Sequence, residues 1–193
     1  MLPDSLISAL SGLGGVFLGA WLVGRRERAE RRRQFIESQL KDFYSPMLGL
    51  RKEIEARSEM RVRIQSRAES AWASLSAAVD QQGAEASRQM TAARIPEFQR
   101  LIEYDNEKFV EESLPAYRKM VAMFRDQLWL ADPDTREHFR TLVDYVEVWE
   151  RFYAKALPRE VLVLLGHTEA KLRPFYAHLE SRLGELRKKA EGG

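Results

Sequence analysis

Three histidines, His138, His167 and His178, and a run of carboxylates from Glu103 to Glu112 are the side chains in this 193-residue sequence most suited to chemistry. Neither set is spaced for it. A di-metal carboxylate bundle needs Glu-x-x-His pairs on facing helices, but Thr135, Leu164 and Phe175 stand three residues before the histidines. His167 with Glu169, or His178 with Glu180, offers too few ligands for zinc, so surface or capping roles are expected. His-Glu-x-x-His, the phosphate-binding loop pattern and the G-x-S-x-G nucleophile elbow are all missing. The chain has no cysteine, which excludes disulfides, thiolate nucleophiles and cysteine zinc sites. Glu103, Asp105, Glu107, Glu111 and Glu112 fit a solvated helix face. No catalytic residue, metal ligand or cofactor is expected, although a carboxylate site assembled between helices stays open as a third reading.

A different feature is concentrated at the N-terminus. Arg25, Arg26, Arg28, Arg31, Arg32 and Arg33 lie within nine residues and directly follow "SLISALSGLGGVFLGAWLVG", Ser5 to Gly24, which carries no charge. A helix of that length spans roughly 30 Å, the thickness of a hydrocarbon core. The leader "MLPD" is acidic and the positive charge comes after the apolar run, so an uncleaved anchor is expected rather than a signal peptide. Flanking arginines stay on the cytoplasmic side, which puts the N-terminus outside and the body inside. Trp21, with Arg25 and Arg26, is expected at the headgroups. Ser11, Gly15 and Gly19 form a ridge of small residues that suits self-association of the anchor. The net charge is +2; once the arginine segment is set apart, the body is near neutral and no nucleic-acid surface is expected.

The body must supply whatever positions these groups. Ile36, Leu40, Phe43, Met47, Leu50 and Ile54 recur at the spacing of a helix seam, which resumes at Ile64, Ala68, Ala71, Leu75 and Ala78. A long helix is expected over 35–79, after the arginine-rich 25–34. Pro46 either opens a new helix with Ser45 as its N-cap or kinks a continuous one. Residues 80–94, polar and glycine-containing, are expected to be a loop or frayed helix end. The remaining bundle helices fill 95–193. Asp132–Pro133 reads as an N-cap followed by a first-turn proline, and Leu172, Phe175, Leu179, Leu183 and Leu186 form the buried stripe of the last helix. The fold class is all-α: a transmembrane helix of residues 1–24 with its short outer tail, then a cytoplasmic antiparallel bundle.

"LKDFYSPML", "SLPAYRKM", the run from "DPDTREHF" to "VEVWERF", and "KLRPFYAHLESRL" together resemble a loose group of uncharacterised bacterial proteins with one N-terminal span and a cytoplasmic helical domain. That resemblance implies a place at the bacterial inner membrane and a helical fold, and it brings no catalytic residues with it. The function expected is a membrane-anchored module for protein binding, scaffolding or self-assembly, its partners being lipids and a protein or a second copy of itself. Trp72 and Leu75 are the candidate partner surface. The alternative is an oligomeric effector that perturbs the membrane in stress or phage defence, against which stands the lack of any ionisable residue in the span.

Overall fold

The computed structural model of the chain describes Trp21, residues 24–80 and residues 83–191. The described residues are helical with no strand. Helix α1 runs without a break over 24–80 and contains a π turn at Gln39–Tyr44 before Ser45–Asp80. Helix α2 runs over 84–126, built from Ala84–Lys108, a π turn at Phe109–Ser113, and Leu114–Asp126. A 3₁₀ turn, Leu128–Leu130, leads to α3 at Pro133–Tyr153; the short α4 follows at Arg159–Leu164, then a second 3₁₀ turn at Glu169–Leu172 and α5 at Arg173–Glu191. The expected span Ser5–Gly24 and its ridge Ser11, Gly15 and Gly19 lie, apart from Trp21 and Gly24, outside the described residues. Among the described residues no helix is long and apolar enough to cross a membrane.

The inner parts of α1 and α2 pack with α3 and α5 as an up-down-up-down four-helix bundle. Phe43 meets Phe124, Phe124 meets Phe139, and Tyr117 meets Tyr145, so α1, α2 and α3 alternate in direction. Lys52 pairs with Glu180 at 2.9 Å and Thr135 reaches His178 at 2.7 Å, which sets α5 antiparallel to both α1 and α3. Phe43, Tyr44, Met47, Tyr117, Met120, Phe124, Leu142, Leu172, Phe175 and Leu179 are sealed from solvent in the core. Each large apolar side chain so buried contributes about 1.5–3 kcal/mol, so this cluster carries the fold.

Pro46 neither caps a new helix nor breaks the old one. The helix widens ahead of it: the Ser45 N–H donates to the Leu40 carbonyl, one residue farther back than in an α-helix. The same device precedes Pro115, where the Leu114 N–H donates to the Phe109 carbonyl. A proline inside a helix lacks a donor and its ring presses on the preceding turn; widening that turn absorbs both problems and keeps the rod continuous. The first π turn also lets adjacent Phe43 and Tyr44 both face the core, each at 0% exposure.

Within the stretch whose polarity suggests a loop, residues 84–94 are helix. Helix α2 begins at Ala84, directly after Gly83, whose φ of 103° is open to glycine alone at little cost. Ala, Glu, Arg, Gln and Met between 84 and 93 are strong helix formers, and they have the outer half of α1 to lie against. Consequently α1 and α2 leave the bundle together as a two-helix hairpin. With a rise of about 1.5 Å per residue, residues 56–80 carry it about 37 Å beyond the core. No described residue between Glu55 and Lys108 is buried. Trp72 and Phe98, with ring centroids 5.0 Å apart, hold the middle of the hairpin.

At the far end of α3 the Ala156 N–H reaches the Arg151 carbonyl at 2.8 Å and the Lys155 N–H reaches Phe152 at 3.0 Å, a Schellman closure. Lys155 takes the left-handed position with φ 59°. Replacing Lys155 with Gly is expected to stabilise the protein by about 1 kcal/mol, read as a higher denaturant midpoint; an unchanged or lower midpoint would show that no strain resides there. In hydrogen exchange, hairpin amides at 60–104 should exchange at least about tenfold faster than those of Leu114–Asp126, because only the latter open with the core. Uniform protection along α2 would contradict this division.

Candidate functional surfaces

The hairpin carries the first surface. Its two helices meet along Ala68, Trp72, Leu75 and Val79 on α1, and Phe98 and Leu101 on α2, all half-buried. Beside this seam lies an apolar groove of about 370 Å³ lined by Gln65, Ala68, Trp72, Ile95, Phe98 and Ile102. Trp72 and Leu75, expected as the free partner surface, are therefore largely engaged by the hairpin itself. The reason is that residues 84–93 are helix, so a second arm covers the tryptophan. Trp72 still walls the groove. The side chains left in solvent are Met60, Val62 and Ile64 on one arm and Ile95, Ile102 and Tyr104 on the other. Ile95 and Ile102 are seven apart with Phe98 between them, which is the signal in the sequence for one continuous helix face.

A second constellation lies where α1, α3 and α5 cross. Asp132 occupies the N-cap position of α3, yet its carboxylate bonds none of the helix's first amides. It turns inward, where it accepts from the Tyr44 hydroxyl at 2.9 Å, from Arg182, and from the Gln39 amide at 3.5 Å. Gln39 also donates to the Leu130 carbonyl at 2.8 Å. The Tyr44 oxygen lies 2.8 Å from Thr135 Oγ1, which in turn lies 2.7 Å from His178 Nε2. An ionised carboxylate only accepts, so the protons take one order: Tyr44 donates to Asp132, Thr135 to Tyr44, and the Nε2–H tautomer of His178 to Thr135. Every hydroxyl in this chain is thus committed to its neighbour. What remains open is a polar cleft of about 350 Å³ with Asp134, Ser181, Arg182 and Glu185 around the edge of His178.

Burial works to raise the Asp132 acid, but hydrogen bonds from Arg182, Tyr44 and Gln39 outweigh it and hold the carboxyl below its usual range. Burial, with His178 nearby, holds His138 below the ordinary imidazole range. At the opposite end of the bundle Tyr117 donates to Glu169 at 3.1 Å and Tyr176 lies 3.5 Å from the Tyr117 hydroxyl. Burial pushes both phenols far up, so they stay neutral. The Arg51 guanidinium stacks 4.0 Å over Tyr176 and pairs with Glu55 at 3.1 Å. His167 reaches the Tyr145 carbonyl at 3.0 Å. The histidines thus serve packing and hydrogen bonding, and among the described residues no group of three or more acidic or histidine ligands can hold a metal ion. The carboxylates of α2 bond basic neighbours: Glu107 meets Arg100 at 2.9 Å, and Glu112 meets Lys108 at 2.8 Å and Arg57 at 3.2 Å.

The third surface is the arginine segment, helical throughout 24–38. Arg25, Arg26, Arg28, Arg31, Arg32 and Arg33 are all exposed. Arg31 pairs with Glu27 at 3.2 Å and Arg33 with Glu37 at 3.0 Å. The Arg25 guanidinium lies 5.1 Å from the Trp21 ring, which is itself exposed. Arg26, Arg28 and Arg32 have no carboxylate partner among the described residues. Sequence reasoning found these arginines but missed the Asp132 constellation, whose one visible sign was the Asp-Pro helix start. No protein-family model, curated protein or solved structure matches the chain.

The Asp132 junction makes a prediction about acid. A carboxyl held low in the folded state stabilises it above the unfolded value of about 4, and that contribution is lost as pH falls through the folded value. The denaturant midpoint should therefore drop as the pH is taken below about 4. Asp132→Asn, less stable at neutral pH, should lose less over that interval. Tyr44→Phe should cost about 1–2 kcal/mol, since it removes a hydrogen-bond donor from a part-buried carboxylate. Equal acid sensitivity in wild type and Asp132→Asn would place the effect elsewhere.

Proposed function

We propose that the chain is a single-pass inner-membrane protein whose cytoplasmic helical module holds out the α1–α2 hairpin to bind a protein partner. The observation that carries this reading is the hairpin. It projects beyond the core, contributes no buried residue among those described, and leaves Ile95 and Ile102 beside an apolar groove. Two long antiparallel helices that meet along a narrow, half-buried seam around Trp72 and Phe98 stabilise the core little, so exposed apolar groups along them suit docking. An amphipathic helix laid into such a groove would use the familiar helix-in-groove mode, with anchors one turn apart. The membrane address rests on the uncharged Ser5–Gly24 stretch and the arginines after it.

Protease added to intact spheroplasts should leave the body untouched, and digestion there would reverse the topology. In-cell crosslinking followed by purification through a C-terminal tag should recover a stoichiometric second protein, or discrete multimers if the partner is another copy. Ile95→Glu with Ile102→Glu should cut that recovery at least about tenfold while the helix content is retained, because groove anchors dominate such contacts. Undiminished recovery from the double variant would remove the hairpin from the interface.

A further inference from the structure

Helix α5 returns to the same end of the bundle from which α1 leaves toward the N-terminus. Ala190 packs against the core cluster, and Lys188 and Lys189 stand exposed beside it. They close one side of a cleft of about 1020 Å³ whose other wall is α1, with Arg26, Arg31, Arg32 and Arg33 and the two carboxylates Glu27 and Glu30. Neither lysine has a carboxylate within ion-pairing distance among the described residues, and Glu27 is taken up by Arg31, so the cations of two distant segments stand in excess over the carboxylates of the cleft. The turn between α2 and α3 reaches this same end, fixed there by the Gln39 bond to the Leu130 carbonyl. It carries Trp129, 59% exposed, against Phe35, 41% exposed, with ring centroids 5.9 Å apart.

We propose that this end of the bundle is a docking face for an anionic lipid bilayer, with Lys188 and Lys189 joining Arg26, Arg28 and Arg32 as headgroup contacts and Trp129 with Phe35 as the interfacial aromatics. Anionic headgroups are drawn by clustered unpaired cations at short range, and exposed indoles settle where a bilayer passes from water to hydrocarbon. Both features lie on the end from which the chain continues into the uncharged Ser5–Gly24 stretch. A duplex or single-stranded nucleic acid would ask for cations along a groove and rings set to stack bases; here the aromatic pair is closed on itself and the cations ring the base of the bundle. The proposal rests on the membrane reading above and adds to it. The span alone would leave the bundle free to swing on α1, whereas this face holds it down and thereby aims the hairpin away from the bilayer.

The test uses the full chain, whose lack of cysteine allows a single Glu191→Cys variant to carry an environment-sensitive fluorophore. It is reconstituted into vesicles of phosphatidylcholine with or without phosphatidylglycerol, and headgroup-bound quenchers report its distance from the surface. Quenching should rise at least about twofold with phosphatidylglycerol, and it should fall back at molar salt, where the screening length shrinks to about 3 Å. Lys188→Glu with Lys189→Glu should abolish the rise, and Trp129→Ala should weaken it in otherwise unaltered protein, since all three side chains are exposed. Equal quenching in both vesicles overturns the proposal while carbonate-resistant insertion leaves the anchor standing. Extraction by carbonate sinks the anchor; if salt-sensitive quenching persists before extraction, the docking face survives it. Release by inorganic phosphate at matched concentration, or by RNA more readily than by salt of equal strength, would assign the cations to a soluble anion or to nucleic acid and overturn the lipid assignment.

Discussion

The carboxylate of Asp132, drawn off its helix end by Tyr44 and Arg182, is the join on which the bundle's geometry depends. One acidic group ties α1, the start of α3 and the middle of α5. Its position is costly to desolvate, and it is tolerable only because three donors converge on it. That convergence needs Tyr44 to face inward next to Phe43, which in turn needs the widened turn in α1. The polar chain continues through Thr135 to His178, so the rotation of three helices about their own axes is set by hydrogen bonds, whereas apolar packing alone leaves helices more freedom to slide.

The second constraint is backbone chemistry. Pro46 and Pro115 each remove a donor from a rod that nonetheless continues, and each follows a π turn. The two turns lie at opposite ends of the core. Between them α1 and α2 contribute their most buried residues; beyond Glu55 on α1 and before Phe109 on α2 burial stops. A break at either proline would have allowed the outer segments to fold back onto the core. Continuity instead commits them to the extended hairpin.

That division makes the surfaces the functional candidates. The hydroxyls around Asp132 are committed to their neighbours, Tyr117 donates to Glu169, and Arg51 lies over Tyr176 and pairs with Glu55. Among the described residues the outer hairpin exposes apolar groups, and at the opposite end cations outnumber the carboxylates, with Glu27 and Glu37 taken up by Arg31 and Arg33. The molecule is polarised along its long axis, with a basic and aromatic base at one end and an apolar two-helix arm at the other, and the hydrogen-bonded core keeps the two ends in fixed relation.

The all-helical class and the stripes of inner α1, with Ile36, Phe43, Met47 and Ile54 buried, and of α5 were legible because spacing along a helix is a local property. Leu172, Phe175, Leu179, Leu183 and Leu186 are all buried as their periodicity implies, and Pro133 opens α3. Polarity points to a loop over 80–94, yet helix propensity prevails over 84–94, and a hairpin arm needs little apolar content when only one face touches its neighbour. Trp72, a candidate for the partner surface, is half-buried against Phe98 and still lines the groove. The Asp132 constellation was illegible, since Tyr44, Asp132, Thr135 and His178 come from three helices and nothing local shows that a cap residue will turn its carboxylate away. By itself, then, the sequence determined which segments are helical, which stripes are apolar and where charge is concentrated, because those follow from nearest-neighbour chemistry. Only the tertiary structure decided that three prolines, Pro46, Pro96 and Pro115, sit in unbroken rods, that Lys188 and Lys189 stand beside the arginines, and that Asp132 belongs to the core, because each depends on which distant residues the packing brings within reach.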